Sequence, residues 1–194
     1  MVFGFAITYP PEDFKMFRRV FLSLSLIAAF ATPSFAQTLK ADKEKSKIDF
    51  VGKKSDGKHT GGFKDFKSEA KVDHESPDKS SITIEIATDS LWSDNEMLTA
   101  HLKSPDFFDV KKYPTIKFES TKIEVNENKA TIIGKMTMLD KTVEIKIPAT
   151  ADLNEKSLTL NADFKIDRTK WGMTYGKGKI DDEVELKVVL MFPR

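Results

Sequence analysis

Along most of its length this chain alternates apolar and polar residues with a period of two, and no other feature restricts its fold as tightly. Ile82-Thr83-Ile84-Glu85-Ile86 alternates cleanly, as does Ile116-Lys117-Phe118-Glu119. Ala130, Ile132, Gly134, Met136 and Met138 share one face of a strand, and Val143, Ile145 and Ile147 share one face of the next. Ile48, Phe50 and Gly52 form a further face, as do Leu158 to Ile166 and Val184 to Phe192, each taken in steps of two. Successive side chains of a strand point to opposite sides, so every one of these segments has an apolar face and a Lys/Glu-rich face. Turn residues separate them at Asn126-Glu127-Asn128, Asp140-Lys141 and Asn154-Glu155-Lys156. With one more strand around residues 66–73, the pattern predicts an all-β domain of about eight antiparallel strands, a sandwich or a barrel.

A barrel with such strands has two forms: apolar face inward in water, or outward in an outer membrane. The chain holds three Tyr and two Trp, too few for the aromatic girdles of a membrane barrel. Its other face carries dense Lys/Glu pairs such as Glu144/Lys146 and Glu185/Lys187, which suits a solvated exterior. The sequence therefore favours the soluble form.

The first 36 residues read as a leader. Met16-Phe17-Arg18-Arg19 is a short basic start, Val20 to Phe30 is an apolar run, and Ser34-Phe35-Ala36 is a small-x-small cleavage pattern. The apolar run is about half the ~20 residues a membrane span requires. Cleavage is expected between Ala36 and Gln37, with a periplasmic or secreted product spanning residues 37–194 and no membrane span in it. Two acids and two prolines precede the basic start, so the true initiator is read as Met16. The whole chain has 31 basic and 30 acidic residues; the leader holds Lys15, Arg18 and Arg19 against Glu12 and Asp13, which leaves the remainder formally neutral. Neutrality argues against nucleic-acid partners. With no cysteine, disulfides, thiolate metal sites and a lipid-modified N-terminal Cys are excluded.

One segment breaks the alternation. Ser93 and Glu96 stand at capping-box spacing, and Met97, Leu98, His101 and Leu102 recur at helical spacing. Ser104-Pro105 ends the run, since a residue before proline avoids the α region. A short helix over 94–103 is expected, followed by Asp106-Phe107-Phe108-Asp109, whose adjacent aromatics would face opposite ways in an extended chain.

Three stretches, HLKSPDFFD with KYP and a following F-x-S strand, KIDFVGKKSDGKHTGGFKDF, and FKIDRTKWGMTYGKGKIDDEVELKVVL, resemble in order and spacing the motifs of the YceI family. The resemblance spans about 46–192. Asp181 stands where the family often has Gly, and Trp92-Ser93-Asp94-Asn95 lacks the Arg-Asp pair of other branches. It implies an eight-stranded antiparallel lipocalin-like barrel with one short helix, a periplasmic location, often a dimer, and a long polyisoprenoid or fatty-acid-like molecule held in an apolar channel.

On that reading the ligand lies against Phe50, Phe63, Ile82, Ile84, Ile86, Ile116, Phe118, Ile132, Met136, Val143, Ile145, Phe164, Ile166, Leu186 and Val188. His59, His101, Arg168 and Trp171 would meet a head group at the barrel mouth. The same apolar faces equally suit an ordinary packed core, and eight strands is the size at which either outcome arises. No Gly-rich phosphate loop, G-x-S-x-G or H-E-x-x-H is present, and His59, His74 and His101 do not share metal-ligand spacing. No catalytic residue, metal or cofactor other than an isoprenoid-type lipid is expected. The leading expectation is a carrier or store of a long apolar molecule such as a polyisoprenoid, an isoprenoid quinone or a fatty acid. Two alternatives are a ligand-free secreted domain acting through protein contacts and a lipid-modifying enzyme.

Overall fold

A computed structural model describes residues 37–73 and 75–194. The expected leader, its cleavage point and His74 lie outside the described residues. Among the described residues eleven antiparallel strands form one sheet: β1 (Gln37–Lys40), β2 (Lys47–Lys54), β3 (Gly57–Phe63), β4 (Phe66–Val72), β5 (Ser81–Ala87), β6 (Leu91–Ser93), β7 (Thr115–Asn126), β8 (Lys129–Met138), β9 (Lys141–Leu153), β10 (Ser157–Asp167) and β11 (Glu183–Pro193). Their order is β1-β4-β5-β7-β8-β9-β10-β11-β2-β3-β6. The ends of this order meet because β3 leads into β4 through Lys64-Asp65, and β5 leads into β6 through a single 3-10 turn, Thr88–Ser90. At the other end of the strands, the Asp42 N–H donates to the Met191 carbonyl at 2.8 Å and ties the segment after β1 to β11. The sheet is thereby curled into a barrel of the lipocalin-like type.

Eight of these strands are the ones that alternation predicts. The three additional ones are β1, β3 and β6. β3 reads GKHTGGF, with a single large apolar residue, so it carries no period-two signal. Its paired glycines serve close packing instead. A side chain at Gly61 would collide with the Phe50 ring and the Trp92 carbonyl, and one at Gly134 would collide with the Phe118 ring and the Glu119 carbonyl. In both places the tip of an inward-facing phenylalanine ring sits over a glycine of the neighbouring strand, a cross-strand arrangement that bare backbone permits.

The helix α1 (Glu96–Leu102) starts two residues later than its sequence suggests. Ser93 is still the last residue of β6, paired with Gly61, so its backbone is extended. The N-cap is Asn95, whose side-chain oxygen accepts the Leu98 N–H at 2.9 Å. The Ser93 hydroxyl turns to the Asn95 carbonyl and the Thr99 hydroxyl, each at 2.8 Å. After α1 the chain turns rather than extends: the Phe107 N–H donates to the Ser104 carbonyl at 3.1 Å and the Phe108 N–H to the Leu102 carbonyl at 3.0 Å. Both aromatic rings therefore face the same end of the barrel, Phe107 buried and Phe108 half-buried.

Two outcomes test this architecture. Ile86 is buried and faces inward while Glu85 is exposed, so Ile86→Lys is expected to lose about 3 kcal/mol or more and Glu85→Lys to stay within about 1 kcal/mol in urea titrations. The β8–β9 hairpin turns through Leu139 and Asp140, both left-handed with φ of 52° and 57°, where non-glycine residues are disfavoured by roughly 1–2 kcal/mol each. Leu139 recovers some of that by packing against the core, whereas Asp140 is exposed. Asp140→Gly is accordingly expected to stabilise the protein by about 1 kcal/mol, read as a higher urea midpoint at unchanged slope.

Candidate functional site: an apolar channel along the barrel

The inward faces enclose three adjoining chambers. The middle one is walled entirely by apolar side chains from β2, β5, β7, β8, β9, β10 and β11, among them Ile84, Ile116, Phe118, Met136, Ile145, Phe164, Leu186 and Val188. It shares Ile82, Ile132 and Leu160 with an outer chamber bordered by Pro77, Ser80, Val125, Glu127, Leu153 and Leu158. It shares Ile48, Ile86, Ile116, Met136 and Leu186 with an inner chamber walled also by Phe50, Phe63, Leu102, Phe107, Phe108, Ile166 and Met173. The cavity volumes are about 70, 230 and 120 Å³ for middle, outer and inner, each below the ~300–1,000 Å³ of small-molecule sites, so the bore is narrow and a ligand of that size has to thread all three. They lie in a row. Along β10 the inward residues Leu158, Leu160, Ala162, Phe164 and Ile166 pass through outer, middle and inner chambers in turn. Eight residue steps at ~3.3 Å, on strands tilted by ~35–45°, give a channel roughly 20 Å long.

The burial pattern shows that this interior is not packed solid. In a filled core the central side chains are the best covered. Here the coverage is mixed: Ile48, Ile82, Ile116 and Leu190, each 3–4% exposed, do line the middle chamber, but they are not matched by its remaining walls. Six inward residues of the middle chamber, Ile84, Met136, Ile145, Phe164, Leu186 and Val188, are only half-buried.

The inner end is covered. The α1 helix, the turn at 106–110 and the segment 168–182 lie across it, and Arg168 holds that segment in place. Its guanidinium is 3% exposed. Its Nε donates to the Asp181 carbonyl at 3.0 Å, Nη1 to the Met173 and Tyr175 carbonyls at 2.7 and 2.9 Å, and Nη2 to the Ile180 carbonyl at 3.2 Å and the Asp182 carboxylate at 3.3 Å. All five N–H groups of the fork are thus engaged. Trp171 is buried beside it, and its Nε1–H donates to the Met136 carbonyl at 3.0 Å. His101 packs edge-on to Phe107 and Tyr175 with ring centroids 5.0 and 4.9 Å away, and its Nε2 lies 2.9 Å from the Asp106 carboxylate. His59 lies on β3 with Nδ1 2.9 Å from Asp94. The Thr60 N–H, first, then His59 and the Thr60 hydroxyl hold the Asp94 carboxyl below its ordinary pKa.

Of the fifteen apolar residues expected to face a ligand, Val143 alone lines no chamber; it packs on the same face as its partner Met136. Of the four residues expected at a mouth, Arg168, Trp171 and His101 lie at the covered inner end, where His101 packs on Tyr175 and Arg168 binds the Tyr175 carbonyl. Arg168 borders the inner chamber, but its donors are spent on its own loop. Trp171 seals a seam, and neither His59 nor His101 borders a chamber. Sequence reading overlooked the outer rim, Val125 and Leu153, each 48% exposed. Both close their strands' apolar faces at a hairpin, which is the signal that marks them. Among the described residues no cluster of three or more His, Cys, Asp or Glu could hold a metal, and no helix is long and apolar enough to cross a membrane.

An antiparallel barrel with an unfilled apolar bore defines a lipocalin-like class of protein. Comparison with known proteins makes the assignment specific. The model of the YceI-like domain matches residues 39–192, and the chain belongs to the YceI family. A UPF0312 protein of Pseudomonas putida strain F1 is 35% identical over 141 residues, 70% of this chain and 73% of the relative. One from Pseudomonas paraeruginosa strain PA7 is 31% identical over 132 residues, 65% of this chain and 69% of the relative. The crystal structure of Burkholderia cenocepacia BcnA superposes with a TM-score of 0.73 at 28% identity, over 78% of this chain and 98% of that one. A polyisoprenoid binding domain from Saccharophagus degradans shares the fold alone, with a TM-score of 0.64 at 11% identity over 81% and 98% of the two chains.

The fully engaged Arg168 yields a sharp expectation. Lys offers three donors from a single point, so Arg168→Lys leaves buried carbonyls unpaired and is expected to lose about 2–4 kcal/mol in denaturant titrations, little less than Arg168→Met.

Proposed function

We propose that this protein is an exported, periplasmic or secreted carrier or store for a long, mostly hydrocarbon molecule of the polyisoprenoid, isoprenoid quinone or fatty-acid class, and that it has no catalytic activity of its own. The observation that carries the reading is the half-buried state of six inward side chains at the centre of the barrel. Apolar surface left uncovered inside a protein gains from being covered, and an apolar chain is what covers it. The binding domain from Saccharophagus degradans lends support through its shared fold, and the tripartite leader at residues 1–36 supports export.

Chain length follows from the energetics. Each buried methylene contributes ~0.8 kcal/mol gross, so about six carbons gain only ~5 kcal/mol. Association costs an estimated ~4–15 kcal/mol, which erases that gain. Two to three times as many carbons exceed it. The channel of roughly 20 Å is also a little longer than the ~15 Å depth of half a bilayer's hydrocarbon core, the environment such a chain leaves.

Val188→Phe tests hollowness and function together, since Val188 is half-buried against the middle chamber. In a filled core that enlargement costs about 1–3 kcal/mol. Here stability is expected to stay within about 0.5 kcal/mol or rise, while binding of cis-parinaric acid falls at least about tenfold, because the added ring occupies the bore. Mass spectrometry of an organic extract of the protein purified without detergent is expected to show one species rich in hydrocarbon and poor in polar groups. An empty protein that takes up no long chain would return the reading to a domain acting through protein contacts.

A further inference from the structure

We propose that the channel is one-ended: its ligand enters tail first through the mouth at Val125 and Leu153 and keeps its polar end there. The ligand class is then a single-headed amphiphile, one long apolar chain with one polar terminus. The inference rests on the channel being a ligand site, and it adds the direction and the chemistry of the two ends.

The two ends of the bore differ in what they offer a polar group. At the inner end every fixed polar handle is already engaged: Arg168 spends all five N–H groups on the 173–182 segment, and the Trp171 N–H is held by the Met136 carbonyl. Among the described residues no buried side-chain nitrogen or oxygen lacks a hydrogen-bond partner. A head group driven to that end would shed its water and find no replacement, which is the costly arrangement for a polar group. A hydrocarbon terminus meets Phe50, Phe63, Phe107 and Phe108 there instead.

The outer end has the opposite character. Lys71, Ser80, Ser81 and Glu127 border its chamber alongside apolar walls, so hydrogen-bonding groups and solvent are both within reach of a head group. Val125 and Leu153 are each 48% exposed at the tips of the β7–β8 and β9–β10 hairpins, and they continue the apolar wall out to the surface. The inner chamber is closed differently: α1 and the 168–182 segment lie across it, its walls Phe107 and Met173 are 6% and 5% exposed, and Tyr175, 46% exposed, packs on Phe107 without itself bordering the chamber.

The absence of cysteine makes a direct test available, because one introduced thiol is the only thiol. Leu153→Cys marks the mouth, and Met97→Cys, at an 83% exposed position on α1, marks the covered end. Each is coupled to a polyethylene glycol maleimide, and uptake of cis-parinaric acid is followed by stopped flow. The bulky adduct at residue 153 is expected to slow uptake by about tenfold or more, and the one at 97 by less than about twofold. In the unmodified protein, a stearic acid bearing a nitroxide near its methyl end is expected to broaden the backbone amide resonances of Leu102 and Phe108. One bearing it near the carboxyl is expected to broaden those at 126–129 and 153–157. Slowed uptake from residue 97 alone, equal slowing from both positions, or broadening in the reverse order overturns the one-ended channel while leaving the carrier function in place. No uptake of cis-parinaric acid by the unmodified protein overturns both.

Discussion

A pleated strand has two faces and no third, and the consequences of that constraint run through the whole molecule. Seven strands turn apolar side chains into one shared middle chamber. Because the sheet curls and its two ends are joined by the short links between β3 and β4 and between β5 and β6, those faces converge on one enclosed volume. The charged faces then have only the outside to occupy, where Lys53 pairs with Glu185 and Lys117 with Glu85. Such exposed pairs contribute little to stability. Their value is that they leave the walls of the middle chamber without charge.

What keeps that interior open is a matter of where large side chains are permitted to lie. The ring tips of Phe50 and Phe118 sit over Gly61 and Gly134, and a Cβ at either glycine would displace the ring. The remaining walls are largely aliphatic. Cover is concentrated at the inner end, where Arg168 gathers four backbone carbonyls and one carboxylate around a single guanidinium. A loop with glycines at φ of 89°, 66° and 79° has little regular structure of its own, so a fixed fork of donors substitutes for the missing ladder. The result is a barrel closed by polar chemistry at one end and edged by exposed apolar side chains at the other.

The strand faces were legible because alternation is a local property: Ile82, Ile84 and Ile86 face inward, with Thr83 and Glu85 exposed, just as their spacing requires. Strands held by something other than alternation were not. β3 pairs along its full length with β2, yet GKHTGGF has no alternation to reveal it, because its glycines answer to Phe50 and Trp92 from other strands. The start of α1 was misplaced for a related reason. Ser93 and Glu96 have capping-box spacing, but pairing of β6 with β3 holds Ser93 extended and hands the cap to Asn95.

By itself the sequence determined the class of fold, the inward residues and the family motifs, since each is written in neighbours a few positions apart. It left the interior undecided between a packed core and a channel, because filling depends on how side chains from seven strands meet in space. It also could not say what Arg168 and Trp171 do. A buried guanidinium and an indole N–H are open to a ligand or engaged by backbone according to which carbonyls surround them, and those carbonyls belong to residues brought together only when the barrel closes.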